Sequence, residues 1–162
     1  MNVFSRTFLP AAAESGLTDA TINRHLPILR QCVSGDDAVT LLARCSRPGN
    51  HRRLDFLLLL TYRRLVITSQ SWPLGRLRLH LNSDLRHLHN ITWTPDPDTS
   101  IVELTATAVD GVRERFQIRT PHPKQVWQLD TVFGQVFRPR ATTLAVASAH
   151  RRPLAAALPA VA

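Results

Sequence analysis

Apolar positions along this chain change their period at Val39. Before that point Ile22, Leu26, Leu29 and Val33 recur at spacings of three and four, the mark of one helical face. Thr18 or Asp19 supplies the N-cap, and Ser34-Gly35-Asp36-Asp37 supplies the stop. Pro27 falls inside the stretch, where a missing N–H and a ring clash cost about 3 kcal/mol. A kink or two short pieces is the expectation there. Residues 1–17 mix Phe, Ala, Pro and Ser without a period and read as a loose arm.

From Val39 onward, short apolar runs alternate with Gly, Pro, Asn and Asp clusters, which predicts antiparallel strands. Seven are expected, over residues 39–45, 54–60, 65–69, 77–81, 89–93, 101–108 and 112–120. In the fourth, Leu77, Leu79 and Leu81 alternate with Arg78 and His80, giving one dry and one wet face. Ser83-Asp84-Leu85-Arg86-His87 reads as one helical turn with a capping serine, and Pro95-Asp96-Pro97-Asp98 reads as a loop.

The last hairpin constrains its own register. A two-residue Asp110-Gly111 turn would set Thr105 and Glu103 against Phe116 and Ile118, polar against apolar. A three-residue loop, Val109-Asp110-Gly111 with Gly111 left-handed, pairs Ala108 with Val112, Leu104 with Phe116 and Val102 with Ile118. One face is then apolar throughout. Beyond Pro121-His122-Pro123, Val126, Leu129, Phe133, Val136 and Phe137 form a helical stripe that needs an apolar surface, and the sheet is the one available. Pro139 is expected to end that helix and leave an Ala-rich disordered tail over residues 139–162.

Composition narrows the function classes. In 162 residues, 44% are hydrophobic and 20% charged, which excludes wholesale disorder and allows one substantial core. Apolar runs such as that from Phe56 to Leu60 are far too short to span a bilayer. Arg6 and Pro10 interrupt the one stretch that resembles an export signal ahead of Ala11-Ala12-Ala13, so a cytoplasmic protein is expected. Cys32 and Cys45 make neither a disulfide scaffold nor a zinc framework, and reduced, buried thiols are expected.

The net charge of +8 is unevenly placed. Between Arg44 and Arg86 stand nine arginines and two acids, Asp55 and Asp84, net +7, and four further arginines follow from Arg138 onward. Such a field attracts phosphates, acidic peptides or anionic membrane surfaces, or it is simply a solvated face.

The order of elements, seven short antiparallel strands and a terminal amphipathic helix, resembles that of a pleckstrin-homology-like (PH-like) domain. Leu57-Leu58-Leu59-Leu60-Thr61-Tyr62-Arg63-Arg64-Leu65-Val66-Ile67-Thr68 resembles the second hairpin of bacterial PH-like and GRAM-like domains. Asp110-Gly111, Phe116-Gln117-Ile118 and the 126–137 helix resemble their closing hairpin and helix. The resemblance covers residues 36–138 and implies a mainly β, seven-stranded antiparallel barrel or sandwich closed by a C-terminal helix, preceded here by an arm and helix over residues 1–35. It also implies an anion site on the first two strands and the loop between them, where Arg44, Arg47, His51, Arg52 and Arg53 stand. The lipid-binding pattern ends in a basic-x-Arg pair on the second strand, whereas here Leu54 and Asp55 follow Arg53. Many bacterial relatives of this fold are protein-docking or oligomerising modules.

No nucleophile elbow, Walker loop or dinucleotide fingerprint occurs. His80, His87 and His89 lack further ligands at metal-site spacing apart from Asp84; an extended His87-Leu88-His89 would put two imidazoles on one solvated face. Asp84 near His87 reads as a turn cap, and Asp110 near Glu114 as the wet face of a hairpin. Trp93 fits a half-buried strand position and Trp127 a strand edge, while Trp72, in Ser71-Trp72-Pro73-Leu74-Gly75, either tucks onto the fold or stacks on a base, lies in a lipid headgroup layer or anchors a protein partner.

These observations point to a noncatalytic adaptor without a cofactor. It would dock an acidic protein segment or anionic headgroup through Arg44, Arg47, His51, Arg52, Arg53, Arg63, Arg64, Trp72 and Arg76, in the cytoplasm or peripherally at the inner membrane surface. Nucleic-acid binding is the alternative and requires a continuous basic stripe. Self-association is expected if residues 65–69 or 101–109 form an exposed sheet edge.

Overall fold

Helix α1 (Val3–Glu14) opens the chain, followed by α2 (Asp19–Cys32), in the computed structural model, which describes residues 1–49 and 54–149. Seven strands come next: β1 (Val39–Cys45), β2 (Leu54–Thr61), β3 (Arg64–Ser71), β4 (Leu77–Asp84), β5 (His89–Asp96), β6 (Ile101–Thr107) and β7 (Arg113–Arg119). Helix α3 (Pro123–Ala149) follows. The strands form two antiparallel sheets, ordered β1-β2-β3-β4 and β5-β6-β7. The fold is therefore α+β.

The sheets do not close into a barrel. Ser46 and Gln117 exchange N–H to O bonds of 2.9 and 2.8 Å, joining the first sheet to the second at one point. Among the described residues β4 and β5 are not paired. Strands β3 and β6 lie inside their sheets, so the condition set for strand-edge self-association is not met.

The first sheet is covered on both faces because β2 is apolar at every position from Phe56 to Leu60. Its even-numbered side chains, Phe56, Leu58 and Leu60, face Val102, Leu104 and Phe116 of the second sheet and Val126, Phe133 and Phe137 of α3. Leu57 and Leu59, with Val66, face a second core built from Phe4, Phe8, Leu29 and Val33. Residues 1–17 are thus not a loose arm. Phe4, Phe8 and Ala12 recur at helical spacing and are buried against the sheet, and Asn2 caps the helix by accepting from the Ser5 N–H at 2.9 Å.

Helix α2 is capped by Thr18 and runs through Pro27 as one element, just as α1 runs through Pro10. Helix α3 likewise passes Pro139 and continues to Ala149, so residues 139–149 are helical rather than a disordered tail. The tail reading for residues 150–162 lies outside the described residues. All five expected stripe residues of α3 are buried, but Trp127 is 53% exposed because it stands about 100° around the helix from Val126.

The closing hairpin adopts the expected register, with Leu104 opposite Phe116 and Val102 opposite Ile118. Gly111 is left-handed at φ +81°, and Ala108 and Val112 are joined by an N–H to O bond of 2.9 Å. Strand β5 extends through Pro95 and Asp96, so the loop expected there begins at Pro97. Asp84, not Ser83, caps the short 3-10 turn Leu85–His87 by accepting from the Arg86 N–H at 2.9 Å. His87 ends that turn and His89 begins β5, so the two imidazoles do not share an extended segment.

Candidate basic groove at the β3–β4 hairpin end

The connection from β3 to β4 is short and closed. Ser71 N–H donates to Arg76 O at 3.0 Å and Gly75 N–H to Ser71 O at 2.8 Å, with Gly75 left-handed at φ +63°. At its tip Trp72 is 65% exposed and Leu74 75% exposed. Most of the Trp72 surface is thus open to solvent at the tip. Arg76 and Arg78 follow, both exposed.

Strand β4 departs from its expected alternation. Thr68 pairs with Leu79 and Ile67 with Leu81, leaving His80 as an extra residue. Such a bulge re-aims side chains. Leu79 is consequently 46% exposed, and the His80 ring sits edge-on to Phe56 and Phe116 at centroid distances of 5.4 and 5.9 Å. The leucine face and the polar face of this strand are therefore not separated as alternation alone predicts.

Glu114 on β7 is buried, although its hairpin position read as wet. Its Oε2 lies 3.4 Å from His80 Nε2 and 3.4 Å from Arg47 Nη2. Arg47 belongs to the segment that leaves β1, so this carboxylate gathers side chains from three stretches of chain. Above it a groove of about 530 Å³ is walled by Arg47, Arg76, Arg78 and His80 over Phe56, Leu54 and Leu79. No serine hydroxyl is hydrogen-bonded to His80 among the described residues, and among them no three His, Cys, Asp or Glu side chains gather as a metal site would require.

Of the expected site residues, Arg47, Trp72 and Arg76 meet at this end. Arg44 lies on the exposed edge of β1 and walls a separate cavity of about 440 Å³ with Asp55 and Arg119. Arg63 and Arg64 lie at the other end of β2 and β3, about 20 Å away at 3.3 Å per residue. There Arg63 pairs with Asp36 at 3.1 Å, and Arg64 donates twice to Asn82 Oδ1, at 3.0 and 2.8 Å. The expected roles of His51, Arg52 and Arg53 lie outside the described residues. Arg78 and His80, which are not among the expected site residues, also line the groove, and Glu114 lies against His80 and Arg47. The bulge hid the second, and Glu114 is too distant in sequence from its partners to leave a local signal.

Elsewhere the titratable groups have structural explanations. Two hydrogen bonds from the Arg86 side chain and one from its backbone hold the Asp84 carboxyl at about 2. Cys32 and Cys45 are free thiols, and burial pushes both up. No helix among the described residues is long and apolar enough to cross a membrane. Family models, curated proteins and solved structures give no match to this chain.

Proposed function

We propose that this protein is a noncatalytic PH-like binding module that docks anionic lipid headgroups at its β3–β4 end. The observation that carries the reading is the juxtaposition of an exposed apolar tip, Trp72 and Leu74, with Arg47, Arg76 and Arg78 around one groove. A tryptophan at the headgroup level beside arginines that attract phosphate is the composition of a peripheral membrane contact. The strand order in two sheets, with α3 laid on the second, supports the PH-like assignment. Attachment to the cytoplasmic leaflet follows from the same reading.

An acidic protein segment would use the same arginines but would leave the Trp72 and Leu74 tip without an apolar phase. Duplex nucleic acid is disfavoured, because Arg63 and Arg64 lie at the opposite end and are engaged by Asp36 and Asn82. The test is sedimentation with phosphatidylcholine vesicles with and without phosphatidylglycerol, alongside an acidic peptide and duplex DNA and RNA, at two salt concentrations. Binding to the phosphatidylglycerol vesicles alone is expected, weakened about tenfold or more by Arg76→Glu with Arg78→Glu and also reduced by Trp72→Ala. Equal binding of the double variant, or preference for peptide or nucleic acid, overturns the reading.

A further inference from the structure

Among the described residues the groove contains one imidazole, that of His80, whose position the docking reading does not use. His80 is turned inward by the bulge in β4, and its Nε2 faces the buried Glu114 carboxylate at 3.4 Å. Arg47 approaches the same oxygen at the same distance, so one carboxylate is shared by a fixed cation and a titratable ring. From β7 the ring is faced by Glu114 and Phe116, and from β2 by Phe56. Among the described residues, Arg78 on its own strand, Arg76 before it and Arg47 from the β1–β2 segment supply the other charges on the groove. Strand β3 contributes only the hydroxyls of Ser69 and Ser71.

We propose that His80 makes anion binding in this groove dependent on pH: protonation of its imidazole offsets Glu114, raises the groove charge by one and strengthens the hold on an anion. The inference rests on the docking reading. With His80 neutral, Glu114 cancels one of these arginines and draws Arg47 toward the groove floor. With His80 protonated, the carboxylate is matched by the ring, and Arg47 is released to face the ligand. Imidazole is the side chain whose charge ordinarily changes between about pH 5 and 8. Low dielectric around the Phe56 and Phe116 rings strengthens the effect of one added charge.

Phosphatidylglycerol vesicles are the suitable probe, because a phosphodiester keeps its single charge over that range. Wild-type affinity is expected to rise about three- to tenfold between about pH 8 and about pH 5.5. His80→Gln should bring the ratio of the two affinities close to one, while His87→Gln, at an exposed position beyond the far end of β4, should retain the wild-type ratio. Glu114→Gln, which removes the offset carboxylate with little change of shape, should tighten binding at the higher pH and reduce the ratio, with folding checked by circular dichroism. A flat wild-type profile, an undiminished ratio in His80→Gln or a lost ratio in His87→Gln overturns the inference while leaving the docking reading standing. Absence of vesicle binding at either pH removes both.

Discussion

The indole N–H of Trp93 donates to the Asp130 carboxylate at 2.8 Å, tying β5 to α3 at the rim of the main core. Beneath that bond the Trp93 ring meets Phe133 and Phe137 at centroid distances of 6.1 and 5.9 Å. Asp130→Ala should lose about 1–2 kcal/mol of stability, the worth of a half-buried hydrogen bond to a charged acceptor. Urea denaturation of Asp130→Ala, Trp93→Phe and the pair should show a coupling of about 1 kcal/mol; strictly additive losses would mean that the bond contributes nothing.

Helix α1 covers the outer face of the first sheet through Phe4 and Phe8, which stack at 5.3 Å. Phe8→Ala should therefore cost about 3–5 kcal/mol. Leu9→Ala, at a neighbouring position that is 62% exposed, should change stability by about 0.5 kcal/mol or less. Comparable losses at both positions in chemical denaturation would refute the docking of this helix.

That helix shows where the sequence was legible and where it was not. The closing hairpin could be read because one turn length alone puts Leu104 and Val102 opposite Phe116 and Ile118. The α3 stripe could be read because five apolar residues repeat over three turns. The Phe4, Phe8 and Ala12 repeat was equally local, but Ser5, Arg6 and Pro10 obscured it. A second clue lay in β2, where five consecutive apolar residues demand cover on two faces. The groove was less accessible, since Arg47, His80 and Glu114 come together only through the β4 bulge and the sheet-to-sheet bridge at Ser46. Neither has a signature in the flanking residues.

His25 on α2 is 2% exposed and shares a 2.7 Å hydrogen bond with Thr68 Oγ1. Burial, reinforced by the Arg24 guanidinium, depresses its basicity, and the opposing pull of Gln70 and Asp55 does not reverse the sign. The unfolded chain then binds a proton more readily than the folded one. This contribution to stability is present above about pH 6.5 and is lost as the pH falls below it. Melting temperature should drop between about pH 7.5 and pH 5, and His25→Gln should flatten that slope. An unchanged slope in the variant would assign the acid loss to other groups.

Gly111 occupies a left-handed position with open space where a Cβ would stand. Gly111→Ala should thus cost about 1–2 kcal/mol from backbone conformation alone, and Gly111→Asn less. Thermal melts of the two variants test this ranking. Equal losses would indicate that the loop relaxes.

The two-sided burial of β2 also shapes how this chain can drift over generations. An ordinary half-wetted strand can exchange every second residue for a polar one, but between Phe56 and Leu60 no position is available for such exchange. Lineages descending from this ancestor should diverge freely around the exposed Val109, and keep an unbroken oily word at the centre of the chain.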